Sequence, residues 1–125
     1  MEEKLERIAT DVVDAAIKLH MRIGPGLLES VYEAVLARLL QQRGHQVERQ
    51  KPVPIIIDDL HFDEGFRADL LIDDCFIVEL KSVEQLAPVH AKQLLTYLRL
   101  RNHRLGLLIN FGAAVLKDGI KRIAN

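Results

Sequence analysis

Apolar residues recur at spacings of three and four through Leu5, Ile8, Val12, Ala15, Ala16 and Leu19. That period predicts one face of an amphipathic helix from about Glu2 to His20. Gly24-Pro25-Gly26 ends it, because such a run punctuates helices. A second helix follows, with Leu28, Val31, Tyr32, Val35, Leu36, Leu39 and Leu40 on a broad apolar face and Gly44 placed as its C-terminal cap. The period then changes. Val47 to Ile57 reads as a strand, and Pro52 and Pro54 put its early part at an edge or bulge, since proline cannot donate to a ladder. His61 to Ile72 and Cys75 to Lys81 are two further strands, joined into a hairpin by the tight Asp73-Asp74 turn. Ala87, Ala91, Leu94, Leu95 and Leu98 form the stripe of a third helix over 87–101, with Pro88 tolerated in its first turn. Leu105 to Phe111 is a buried strand, and the tail from Lys117 closes with a short helix or strand.

The order α-α-β-β-β-α-β predicts an α/β (α+β) fold, a mixed sheet flanked by helices. Composition supports one globular unit: 49% of the 125 residues are hydrophobic and 28% charged. Folding a chain of this size buries roughly 65 to 70% of its extended surface, enough for a core without staples. Cys75 is the only cysteine, which excludes an intrachain disulfide and a cysteine-cluster metal site and fits a reducing cytoplasm. The longest apolar runs are too short to span a bilayer, so no membrane partner is expected.

The net charge of -1 lacks the basic signature of a nucleic-acid binder. Its distribution is more informative. Eight acids and one base lie between Asp58 and Glu79, whereas Ala87 to Arg104 holds Lys92, Arg99, Arg101 and Arg104 and no acid. An acidic centre beside a basic helix fits a metal site flanked by a phosphate-binding surface, and equally two solvated surfaces.

Chemistry concentrates in the stretch from Phe66 to Lys81. Glu79 and Lys81 are two apart in a strand, so they point the same way about 7 Å apart. Asp69 lies on the partner strand of the hairpin and comes beside Glu79. Two carboxylates that close repel, and a divalent cation resolves the conflict; such a pair is a usual way of holding Mg²⁺. A Glu79–Lys81 ion pair with Asp69 as a solvated turn residue fits the spacing as well.

Asp69, nine residues, then Glu79-Leu80-Lys81 resembles the active-site signature of the PD-(D/E)XK nuclease superfamily, with Ala68 where its name has proline. Gly26-Leu-Leu-Glu29-Ser-Val-Tyr32 is similar to the GxxExxY motif of a small protein family assigned to that superfamily, and Gln93-x-x-x-Tyr97 resembles the QxxxY motif of its RecB-like members. The resemblance implies one nuclease-like domain over 1–125, residues 1–22 forming an additional helix. It implies Mg²⁺ or Mn²⁺ held by Asp69, Glu79 and the Leu80 carbonyl, with Glu29 and His20 as further ligands and Lys81, Gln93 and Tyr97 acting beside them. Lys92, Arg99, Arg101 and Arg104 would meet the backbone of a nucleic acid, DNA being the expected substrate. With no recognition insertion in 125 residues, a homo-oligomer or a protein partner is also expected. The alternative is a non-catalytic module on the same fold.

Overall fold

The computed structural model describes residues 2–125. Three helices, α1 (Glu2–Ile23), α2 (Glu29–Gln42) and α3 (Pro88–Arg101), flank five strands: β1 (Val47–Ile57), β2 (Leu60–Ile72), β3 (Phe76–Lys81), β4 (Leu105–Asn110) and β5 (Ile120–Ala124). The strands form one sheet in the order β1-β2-β3-β4-β5, antiparallel throughout except for the parallel β3–β4 pair. The α3 crossover makes that parallel step. β1 is the edge its prolines predict, and its register shifts between Val53 and Ile55, at Pro54. The tail, expected to close with a short helix or a strand, forms a 3-10 turn (Leu116–Gly119) and then β5.

Two apolar layers sandwich the sheet. Leu5, Ile8, Val12 and Leu19 of α1 and Tyr32, Leu36 and Leu40 of α2 pack on Leu70, Ile72, Phe76, Val78, Leu80, Leu107 and Ile109. Each of these side chains contributes about 1.5–3 kcal/mol by leaving water. On the other face, Leu94 and Leu98 of α3 cover Phe66, Ala68, Leu71, Ile77 and Leu108. Gly106 lets α3 approach, because a Cβ there would stand 2.9 Å from the Ile77 carbonyl and 3.3 Å from Leu98.

β2 does not alternate regularly. Leu70 and Ile72 face α1 and α2, whereas Phe66 and Ala68, of the same parity, face α3. β1 does the same, with Val47 in the first layer and Val53 and Ile55 in the second. The inversion falls at Asp69 and, opposite it, at Gln50, whose φ of +50° lies in the left-handed region. Beyond that point the β1–β2 hairpin extends to a type I′-like turn at Asp58-Asp59, with Ile56, Ile57, Leu60 and Phe62 exposed at its tip.

Candidate metal centre

The β2–β3 ladder pairs Ile72 with Phe76, Leu71 with Ile77 and Leu70 with Val78, then stops where Asp69 would meet Glu79. Side chains take over the bonding. The Asp69 carboxylate Oδ2 accepts the Leu80 N–H at 2.8 Å, and Glu79 Oε1 accepts the Asp69 N–H at 3.3 Å. Both side chains are buried, at 9% and 8% exposure. β3 runs on beside β4, which pairs Glu79 with Leu108 and Lys81 with Asn110. The regular β2–β3 pairing therefore ends at two buried carboxylates.

Burial pushes the Glu79 carboxyl up to about 9, and the charge of Asp69 and a hydrogen bond shared with it add to the rise. At neutral pH Glu79 holds a proton. Glu29, in the first turn of α2, is also raised, by burial first and then by Asp69, with Lys81 opposing and Glu33 adding. Tyr97 of α3 is raised by burial first and then by the charges of Glu79 and Asp69. Its ring stacks on Phe66 at 4.0 Å between centroids. Asp69, Glu79, Lys81, Glu29 and Tyr97 thus share one electrostatic neighbourhood.

The approach of α2 to this point is built from the loop before it. The Tyr32 hydroxyl donates to the Gly24 carbonyl at 2.5 Å and accepts the Leu27 N–H at 3.2 Å, while its ring stacks on Phe111 at 4.5 Å. Ser82 Oγ donates to the Leu27 carbonyl at 2.8 Å, tying that loop to the end of β3. The Asn110 amide accepts the Val83 and Gly112 N–H groups at 3.0 Å and donates to the Val83 carbonyl at 2.9 Å. Tyr32 therefore packs and clamps the turn, and Glu29 receives no hydrogen bond from it.

Other candidates stand apart. His20 is buried and its Nε2–H donates to the Ala113 carbonyl at 2.9 Å. Gln93 is exposed one turn before Tyr97 and makes no side-chain hydrogen bond among the described residues. The bases of the third helix do not form one surface: Lys92 and Arg99, two turns apart, share a side, whereas Arg101 lies across the helix against Lys51, Asp74 and His103. Arg104 is paired with Glu2 of α1.

Residue types alone did not single out Glu33 and Gln50. Gln50 Nε2 donates to Glu33 Oε1 at 2.6 Å and to Asp69 Oδ1 at 3.1 Å. Arg49 Nε donates to Glu33 Oε2 at 3.2 Å. A glutamate at an apolar position of α2 was the one available signal.

The donor set suits a hard divalent cation, because the side-chain atoms of the Asp69–Glu79 pair are carboxylate oxygens, and a cation would offset both the burial and the neighbouring Asp69 charge that raise Glu79. Among the described residues no group of three His, Cys, Asp or Glu side chains is arranged as a complete cage. The kernel is the Asp69–Glu79 pair. A groove of about 520 Å³ opens between the start of α2 and the loop after β3, lined by Glu29, Leu27, Leu28, Ser82, Val83 and Gly112 among others. A larger groove, about 860 Å³, lies between the start of α1 and β5, where Arg104 pairs with Glu2 and Arg122 with Glu6.

A mixed sheet flanked by helices, whose β2–β3 pairing ends at a buried Asp and Glu with a Lys two residues on, defines an α+β architecture centred on two carboxylates. The profile of the PD-(D/E)XK nuclease superfamily matches residues 6–123, and the chain belongs to that superfamily. Searches of curated proteins and of solved structures returned no significant match.

Proposed function

We propose that this chain is a metal-dependent phosphodiesterase acting on nucleic acid, with DNA as substrate and Mg²⁺ or Mn²⁺ as cofactor. The observation that carries the reading is the reciprocal contact of Asp69 and Glu79, with Glu79 pushed to about 9. Asp69 and Glu79 would hold the metal, with the Leu80 carbonyl beside them and Glu29 at the rim. A bound divalent ion supplies Lewis acidity and makes water a nucleophile near neutral pH. Lys81 faces the same side as Glu79 and donates to an attacked phosphate as negative charge builds there. Tyr97 and Gln93 orient substrate from α3, and Lys92 and Arg99 meet its backbone. His20 would join the site only if its bond to Ala113 broke.

The motif order supports reading the protein as a member of the GxxExxY group of the superfamily, and the proposal takes it as one domain over 1–125 acting in the cytoplasm. No described helix is long and apolar enough to cross a membrane. A second reading, a binding module on the same fold, draws on the exposed apolar hairpin tip at Ile56, Ile57, Leu60 and Phe62, which suits a protein partner or another copy. Calorimetric titration with Mn²⁺, followed by cleavage assays on single- and double-stranded oligonucleotides, separates the two. The nuclease reading expects one metal-dependent activity lost in both Asp69→Asn and Lys81→Met; binding of neither metal nor oligonucleotide sinks it.

A further inference from the structure

We propose that Gln50, anchored by Glu33, is a positioning residue that presents the Asp69 carboxylate to the metal; the proposal rests on the metal-centre reading above. Glu33 is buried in α2 at 3% exposure, an unusual place for a carboxylate unless it is paired. Its partners are the Arg49 guanidinium and the Gln50 amide, at 3.2 and 2.6 Å. The same amide nitrogen reaches Asp69 Oδ1 at 3.1 Å.

Chemistry fixes which end of the amide faces inward. Only the NH₂ group, with two hydrogens, can sit between two carboxylates, because the carbonyl end would face two acceptors. Asp69 is therefore gripped from two sides, its Oδ1 by Gln50 and its Oδ2 by the Leu80 N–H. Each oxygen keeps a lone pair for a cation, and the carboxylate plane is set before any cation arrives. The backbone reinforces the assignment. Gln50 adopts φ +50°, a conformation costly for a side chain with a Cβ and far easier for glycine. It does so where β1 and β2 invert their faces, which is what swings the amide under Asp69.

That strain supplies the test. Gln50→Gly relieves the backbone but leaves Glu33 and Asp69 each one hydrogen bond short, so a merely structural Gln50 predicts a lower melting temperature with unchanged metal binding. The positioning role predicts Mn²⁺ affinity weakened about tenfold or more in calorimetric titration, whichever way the melting temperature moves. Glu33→Ala should weaken Mn²⁺ to a similar degree, and the double variant should be no worse than Gln50→Gly alone, because the two act through one bridge. In oligonucleotide cleavage, excess Mn²⁺ should restore Gln50→Gly but not Asp69→Asn. Wild-type Mn²⁺ affinity in Gln50→Gly, with metal bound normally by the wild type, overturns the positioning role alone. A wild type that takes up no Mn²⁺ overturns the metal centre beneath it, and the positioning role with it.

Discussion

Asp69 and Leu80 are not ladder partners, yet the Asp69 carboxylate holds the Leu80 backbone N–H at 2.8 Å. A side chain completes the strand pairing at the point where the sheet opens. Two kinds of substitution should therefore diverge. Asp69→Asn keeps an oxygen for the Leu80 N–H but turns its NH₂ toward the Gln50 NH₂ and loses that one bond, so it should cost about 1 kcal/mol. Asp69→Ala leaves that buried N–H unpaired and should cost about 1–3 kcal/mol. Urea denaturation measures both, and both should lose Mn²⁺ binding.

Glu79 makes the metal-free protein pH-sensitive in a defined direction. Its carboxyl is raised from 4.5 to about 9, so the unfolded chain releases this proton first. The contribution is complete below about 4.5 and is lost as pH rises toward 9, with a slope of at most about 1.4 kcal/mol per pH unit. Glu79→Gln should flatten that decline. A metal must displace the proton, so Mn²⁺ binding at pH 7 should release about one proton, readable by calorimetry in buffers of different ionisation enthalpy.

A second titrating contact lies far from the carboxylates. His45 sits between Asp73, at 2.7 Å from Nδ1, and Asp11, at 2.7 Å from Nε2, joining the β2–β3 turn to α1. Burial pulls the imidazole down, but the hydrogen bonds and charges of the two aspartates outweigh it and the net shift is upward. Its stabilisation is full below 6.5 and is lost as pH rises through the higher folded value. His45→Ala should cost about 2 kcal/mol at pH 6 and clearly less at pH 9, as melting temperatures across that range will show.

Gly112 should tolerate nothing larger. A Cβ there would lie 2.1 Å from the Val83 carbonyl oxygen, a backbone atom also bonded by Asn110. Gly112→Ala should cost about 3 kcal/mol and shift the loop after Lys81. Amide exchange at Val83 reports the shift.

On DNA the salt dependence should reflect geometry rather than the count of bases. Lys92 and Arg99 share one side of α3, so the log–log slope on duplex should be near about -2, at about -0.9 per phosphate. Arg99→Ala should flatten it by about one, whereas Arg101→Ala and Arg104→Ala should leave it unchanged. Fluorescence anisotropy in Ca²⁺ measures this without cleavage.

Element order was legible because turns announce themselves: Gly24-Pro25-Gly26, Gly44 and Asp73-Asp74 all fall at boundaries, and Asp73 and Asp74 both adopt positive φ. Alternation along β3 also placed Glu79 and Lys81 on one face. It failed in β2, because parity arguments assume an unbroken strand and the inversion at Asp69 lets Ala68 and Leu70 face opposite layers. The Glu33–Gln50–Asp69 bridge was illegible for a related reason. It joins a helix and two strands through contacts 17 and 19 residues apart, which no local period records. The four bases between Lys92 and Arg104 looked like one patch in the chain, but helical geometry and the Glu2 pair disperse them.

The three-residue turn Asp73-Asp74-Cys75 acts as a ruler. It fixes Ile72 opposite Phe76, and counting outward from that pair brings Asp69 level with Glu79. One residue inserted at the turn would set Asp69 against a neighbour whose side chain points through the opposite face, although the turn touches neither carboxylate. Changes of length in this hairpin should therefore be as damaging to the lineage as loss of the acids themselves, while the β1–β2 tip, beyond the inversion, is free to lengthen or shrink.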